Sequence, residues 1–318
     1  LHVNSIQRAM TRWYERHRRD LPWRRTRDPY AIWISEIMLQ QTRVAAVIPY
    51  YEKFLAMFPD SAALARAPED QVLAMWAGLG YYSRARNLHK AAKQIASSMF
   101  PADYESVRAL AGIGDYTAAA IASIAFDLPH AAVDGNVRRV IVRLLNRDDA
   151  EIQLEADRLL DRKHPGRWNQ AMMELGPAIC TPRDPNCGAC PLARHCESHQ
   201  AGTQHTLPQK KLKPATIYIE RTLLIIRKRE KLLLVPSHLV DGFWDLPEPF
   251  EGARPGSNIG EFRHSITHHR YRFLVREARA TRLPDGHRWF IEAELAKIPL
   301  STTAKKALSA FLRVHQRP

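Results

Sequence analysis

Apolar residues recur at three- and four-residue spacing through the first two thirds of the chain, and alternate only after residue 216. Ile6, Met10, Trp13 and Tyr14 fall on one face of a helix over Ile6 to Arg19, which Leu21-Pro22-Trp23-Arg24 ends. Within the stretch from Asp28 to Phe54, Ile32-Trp33-Ile34 and Ile37-Met38-Leu39 form a helix apolar on nearly every side. Further helices are predicted over Ser61–Ala65, Glu69–Ala77, Ser83–Met99, Tyr104–Leu110, Asp115–Phe126, Gly135–Leu145 and residues 168–180, punctuated by Gly and Pro. Strands are predicted over Thr216–Ile226, Lys231–Val235, Tyr271–Ala280 and Arg288–Leu295. Residues 227–230 form a hairpin turn, and Ser301–Val314 is a closing helix. The pattern divides the chain into an all-α region over 1–202, a polar, basic linker over 203–215, and a smaller α+β domain over 216–318.

Three stretches break the pattern in ways that suggest chemistry. Glu36 stands in the apolar helix, on a face with Trp33, Leu39 and Gln40. A buried carboxylate there either pairs with an arginine or carries a raised pKa suited to donating a proton. Ala111-Gly112-Ile113-Gly114 turns the chain sharply and leaves bare N–H groups at the next helix start, where a phosphate can be held. Val133-Asp134-Gly135-Asn136 puts an aspartate at a helix start; its plainest role is an N-cap. A fourth, Gly78-Leu79-Gly80-Tyr81-Tyr82, places two tyrosines before a basic helix, which is either a solvated face or a DNA contact by stacking or wedging.

Composition narrows the picture. Lys and Arg total 47 against 33 Asp and Glu, a net +14, which suggests a polyanionic partner. No apolar run reaches membrane-spanning length and the N-terminus has no signal-peptide core, so an intracellular chain is expected, in the cytoplasm or nucleoid if bacterial. All four cysteines, Cys180, Cys187, Cys190 and Cys196, lie in one stretch spaced C-x6-C-x2-C-x5-C. Such clustering points to a metal site rather than disulfides: four thiolates this close can close a tetrahedral sulfur shell, with zinc the generic alternative to an iron–sulfur cluster.

Residues 105–126 together with Asp134 resemble the helix-hairpin-helix and catalytic aspartate of the endonuclease III superfamily of DNA glycosylases. The cysteine spacing at 180–196 resembles that superfamily's iron–sulfur loop, which implies a [4Fe–4S] cluster. Bifunctional members carry a nucleophilic lysine where this chain has Tyr116, so the resemblance implies a monofunctional enzyme. Gly242-Phe243-Trp244-Asp245-Leu246-Pro247 resembles the approach to a Nudix box, but the box itself is absent. A helical glycosylase followed by a degenerate Nudix-like domain is similar to the MutY-type adenine DNA glycosylases. That resemblance implies excision of adenine mispaired with 8-oxoguanine or guanine in double-stranded DNA, by a monomer.

It also implies residue roles. Glu36 would protonate adenine at N7. Asp134 would stabilise or capture the oxocarbenium-like sugar, with Asn136 holding Asp134 or a water and Tyr116 bonding near Asp134. Trp23, Arg24 and Leu39 would line the base pocket, Gln41 and Tyr81 would wedge into the duplex, and Gly112 and Gly114 would grip the backbone. Thr267 and His268 stand where the family has Ser-His against 8-oxoguanine, with Ile266 in place of an aromatic. Three other readings stay open: another lesion glycosylase on this fold, a zinc-stapled DNA-binding protein without base release, and a Nudix pyrophosphatase with a helical accessory domain.

Overall fold

Eleven consecutive residues, Pro29–Leu39, form helix α2, nine of them buried. With apolar side chains on every side, this helix has no solvent face and must be enclosed by others. The computed structural model describes residues 2–96, 99–149, 151–209, 215–238 and 240–315. Asp28 caps α2 by accepting from the N–H groups of Tyr30 and Ala31, and Pro29 occupies its first turn. Its C-terminal carbonyls receive the Arg84 guanidinium: Nη1 donates to the oxygens of Ile37 (2.8 Å), Met38 (3.1 Å) and Gln40 (2.5 Å). The stretch Asp28–Phe54 holds this apolar helix and, after residues 40–43, a second one, α3 (Val44–Met57).

The chain divides into two compact units. The first contains Leu1–Ala67 and Ser83–Lys211, the second Pro68–Tyr82 and Leu212–Pro318. In the first unit α1 (Val3–His17) buries Ile6, Met10, Trp13 and Tyr14, the face its spacing predicts. These pack with Val137, Ile141 and Leu144 of α9 (Gly135–Leu144) and with Trp168, Met172 and Leu175 of α11 (Pro165–Ala178). α4 (Ser61–Arg66) and α6 (Ser83–Ile95) pack on each other, and α7 (Tyr104–Arg108) leads through the glycine turn into α8 (Asp115–Phe126). α8 is alanine-rich, so α2 and α11 both approach it closely. α10 (Ile152–Leu159), which the sequence reading passed over, closes on α9, and α12 (Glu197–Ala201) follows the cysteines.

In the second unit α5 (Glu69–Trp76) precedes the Gly78–Tyr82 turn. The sheet follows, with strands β1 (Ile217–Lys228), β2 (Lys231–Pro236), β3 (Trp244–Asp245), β4 (Ala253–Ile266), β5 (His269–Ala280) and β6 (Arg288–Ile291). The order is β3-β2-β1-β5-β4, with β6 on β2; β1 and β5 are parallel and the other pairs antiparallel. Leu223, Ile225, Phe273 and Val275 point to one face, where Ala304, Ala307 and Phe311 of α13 (Thr302–His315) cover them.

Two strand assignments change. Arg288–Leu295 is a strand only to Ile291, and Glu292–Lys297 is a 3₁₀ turn, because β6 pairs only with the four residues Lys231–Leu234 of β2. β4 had no predicted counterpart. Its register shifts between Pro255 and Gly260 and its glycines hide the alternation. Part of the linker, residues 210–214, lies outside the described residues, as do Ser97 and Ser98 of the predicted helix Ser83–Met99.

Two glycines separate packing from tolerance. A Cβ on Gly166 would meet the Ser123 carbonyl oxygen at 2.5 Å and the Ile124 Cα at 2.8 Å, both backbone atoms of α8. A Cβ on Gly135 meets nothing within 4 Å. Gly166→Ala is expected to cost about 1–3 kcal/mol of stability through overpacking, and Gly135→Ala much less. Urea midpoints that fall equally for both would remove the packing argument.

Candidate active site

A cleft of about 1350 Å³ opens in the first unit, lined among others by Trp23, Arg24, Glu36, Leu39, Tyr116 and Asp134. Gln41, Gly114 and Asn136 also border it. The structure therefore gathers nine predicted site residues around one space. Gly112 belongs to the same unit but does not line the cleft; Tyr81, Thr267 and His268 belong to the second unit.

Glu36 projects from the middle of α2 and is 6 % exposed. It makes no ion pair among the described residues. Its partner is Tyr116 of α8, whose hydroxyl donates to Oε2 at 2.9 Å. Burial pushes the Glu36 carboxyl up to about 7; the Tyr116 hydrogen bond lowers it, the Asp134 charge raises it, and Arg24 lowers it. Tyr116 is itself held well above its ordinary value, first by burial and then by the charges of Glu36 and Asp134, so its hydroxyl stays a donor. Its bonds run to Glu36 and to Met173 Sδ (3.7 Å), within reach of the Asp134 charge, because the phenol extends from α8 towards α2.

Asp134 is the N-cap of α9. Its Oδ1 accepts from the N–H groups of Asn136 (2.9 Å) and Val137 (2.7 Å), and its Oδ2 from Asn136 Nδ2 (3.0 Å). Three donors at a helix N-terminus stabilise negative charge. Asn136 is fixed in turn by Arg139, whose Nη2 donates to Asn136 Oδ1 and to the Gly176 oxygen at 3.0 Å each, while its Nε donates to the Cys180 oxygen at 2.7 Å. N-capping and chemistry are thus compatible: the cap orients the carboxylate that borders the cleft.

Sequence reasoning missed the residues that fix Arg24. Glu174 of α11 accepts from Arg19 Nε (2.5 Å) and Arg24 Nη2 (2.5 Å) and is almost fully buried. Burial raises its carboxyl, but the two guanidiniums outweigh that and hold it below the ordinary range. Its signal was available, since Glu174 interrupts an apolar helix just as Glu36 does. Gly112 has φ +77°, and a Cβ there would meet Asn87 Cβ at 2.5 Å, so the hairpin needs glycine. Gly114 is unconstrained by packing and leaves the start of α8 open. Gln41 (φ +56°) and Tyr81 (φ +48°) both hold left-handed backbone, a strain that collects at functional sites. Thr267 (φ +52°) does so at the tip of the β4–β5 hairpin, where a β-branched residue is costly.

The four cysteines ring a small cavity of about 30 Å³ with Arg143 and Gln204. Arg143 is nearly fully buried. It donates from Nη1 to the Thr181 oxygen (2.7 Å) and Cys180 Sγ (3.3 Å), from Nη2 to the Pro182 oxygen (3.1 Å), and from Nε to the Leu207 oxygen (2.9 Å). A fixed guanidinium beside a sulfur suits a thiolate shell. Among the described residues, no three His, Cys, Asp or Glu side chains are grouped to hold a single metal ion.

The helical hairpin and the two-carboxylate cleft define a base-excision DNA glycosylase, and residues 34–164 match the HhH-GPD superfamily of base excision DNA repair proteins. The chain is 30% identical over 408 residues to the adenine DNA glycosylase of Homo sapiens, covering 97% of this chain and 74% of that one. It is 42% identical over 218 residues to the Rattus norvegicus enzyme of the same name, a match spanning 62% of this chain and 42% of the rat protein. A thermostable thymine-DNA glycosylase superposes with a TM-score of 0.57 at 28% identity, covering 63% of this chain and 95% of that one. The chain belongs to the adenine DNA glycosylase family, enzymes that cleave N-glycosyl bonds in base-excision repair.

The Glu36 carboxyl links the site to stability. Its folded pKa of about 7 lies above the ordinary 4.5, so the group contributes fully below pH 4.5 and that contribution is lost as pH rises through about 7. Glu36→Gln should therefore gain on the parent chain by about 3 kcal/mol between pH 4.5 and 7.5. Urea denaturation at both pH values checks this, and a pH-independent difference would contradict the buried acid.

Proposed function

We propose that this chain is a monofunctional glycosylase that removes adenine mispaired with 8-oxoguanine or guanine from double-stranded DNA. The observation that carries the reading is the pairing of a buried carboxyl pushed up to about 7 with a second carboxylate at a helix N-terminus on the same cleft. Separated environments for two carboxyls are what acid-assisted glycosidic cleavage needs. The flipped adenine enters between Trp23, Arg24 and Leu39. Glu36 gives its proton to N7, the C1′–N9 bond breaks with its electron pair passing to the base, and adenine leaves neutral. Asp134 faces the positive charge that develops on the sugar, either as a counter-charge or by capturing it covalently. Water then adds at C1′ and returns a proton to the Glu36 carboxylate. Tyr116 orients Glu36 and offers no amine, which supports the absence of lyase chemistry.

The family reading assigns the remaining residues. Gln41 and Tyr81 wedge into the space left by the base, and the Gly112–Gly114 turn holds phosphate through its N–H groups. The C-terminal α+β unit is Nudix-like and presents Thr267 and His268 to 8-oxoguanine; the strained Thr267 backbone supports a role for its hydroxyl. Residues 1–202 form the glycosylase, 203–215 the linker and 216–318 the lesion reader. Cys180, Cys187, Cys190 and Cys196, which ring one small cavity beside Arg143, would hold the [4Fe–4S] cluster that the family resemblance implies. When bound, the cluster staples the 180–196 loop and takes no part in the glycosidic step.

Single-turnover base release from duplexes carrying A opposite 8-oxoguanine, A opposite G and T opposite G tests the assignment. Fastest release at A opposite 8-oxoguanine is expected, with strand scission only after alkali. Preference for T opposite G would move the chain to the thymine-mismatch reading. The rate at A opposite 8-oxoguanine should fall as pH rises through about 7, where the acid is lost. Asp134→Asn should lower the rate at least about 100-fold while mismatch binding persists; a near-normal rate would remove Asp134 from the mechanism. Thr267→Ala should narrow the preference for 8-oxoguanine over guanine, and an unchanged ratio would mean that the hydroxyl reads nothing.

A further inference from the structure

α13 covers one face of the C-terminal sheet, and side chains alternate across it. The opposite face is buried at one end by Leu224, Ile226, Leu233 and Ala278. At the other end, towards the β4–β5 hairpin, it is open. There the register sets side chains of β1, β5 and β4 in rows: Tyr218, Arg270 and Ser265 in the first, Glu220, Arg272 and Arg263 in the second. Tyr218 is 81 % exposed. Arg263 and Arg270 are exposed too, and neither makes an ion pair among the described residues.

Two features of this face are unfavourable for the isolated protein. Arg263 stands directly opposite Arg272 across antiparallel strands, and like charges in that position repel. Arg272 pairs with Glu261 (2.5 Å) and Glu220 (3.1 Å), and the three arginines against two glutamates leave this face with a net positive charge carried by Arg263 and Arg270, which pair with neither. They are diagonal neighbours, about 7–8 Å apart at the backbone. The large ring of Tyr218, register partner of Arg270, is left in water. A solvated sheet needs neither the unpaired cations nor the exposed ring. A polyanion with planar groups uses both.

We propose that this open sheet face is a second nucleic-acid surface, which takes a single-stranded segment. Arg263 and Arg270 hold successive phosphates and Tyr218 stacks on an unpaired base. A sheet surface with an exposed aromatic suits unstacked bases better than a paired duplex, whose base faces are covered. An acidic polypeptide could satisfy the arginines but leaves the ring without a planar partner. The patch uses residues other than Thr267 and His268, although it adjoins their hairpin, and the inference stands apart from the base-release reading.

The test uses the full-length chain and a fluorescent 20-nucleotide oligothymidine. Affinity is measured by anisotropy at several salt concentrations. Arg263→Ala with Arg270→Ala should weaken binding at least about tenfold at low salt. It should also reduce the slope of log K against log salt by about 1.4, roughly 0.7 for each single-strand phosphate contact. Tyr218→Ala should weaken binding by about 5- to 100-fold with the slope unchanged, because stacking releases no counterions. Tyr218→Phe, which keeps the ring, should retain affinity. Base release from a short duplex should be unaffected in all three variants. Oligothymidine affinity and slope equal to those of the parent chain would overturn the proposal, as would competition by polyglutamate together with indifference to Tyr218→Ala. A parent chain that binds the strand through these residues yet releases no adenine would sink the catalytic reading alone.

Discussion

The site rests on the cost of burying one carboxyl. Glu36 is enclosed because α2 is apolar on nearly every side, and among the described residues it makes no ion pair, the Arg24 charge only partly offsetting its burial. The Tyr116 hydroxyl partly offsets that cost, and burial still wins. A helix carrying a leucine at this position would pack more favourably. The carboxyl therefore marks where stability is given up for a proton held ready near neutral pH.

The rest of the first unit is arranged around this group and its counterpart. α8 brings Tyr116 to Glu36, and its small residues let α2 and α11 close around it. α9 brings Asp134 with its helix end, and Arg139 ties that end to the Cys180 carbonyl. Arg143, one turn further along α9, ties the same helix to the loop at 180–182. One helix thus carries the Asp134 carboxylate that borders the cleft at its start and the anchor of the cysteine loop further along. Disorder in that loop would reach the orientation of Asp134 through two arginines. The opposite carboxyl is held by α2 and α8, which do not depend on the loop.

Much of this was legible in the chain itself. The 3.6-residue periodicity, the glycine hairpin, the aspartate before α9 and the cysteine spacing each reflect local chemistry, and local chemistry is written in neighbouring residues. The same holds for the burial of Ile6, Met10, Trp13 and Tyr14. Where the reading failed, a non-local partner decided. The strand expected over Arg288–Leu295 ends four residues early, because β6 finds partners only along Lys231–Leu234 of β2. β4 exists because β5 offers it a ladder across two register shifts, although only its second half, from Glu261 to Ile266, alternates.

The sequence by itself determined the two-part architecture, the residue types available for acid and counter-charge, and the clustering of the thiols. These follow from composition and spacing along one strand of chain. Only the tertiary structure decided what each group faces. Among the described residues Glu36 forms no ion pair and accepts from Tyr116, whereas Glu174, also set in an apolar helix, is clamped by two arginines. Tyr116 bonds Glu36 rather than Asp134 because of where α8 crosses α2. The energy of a buried charge depends on partners brought from distant parts of the chain, and that is a property of the packing.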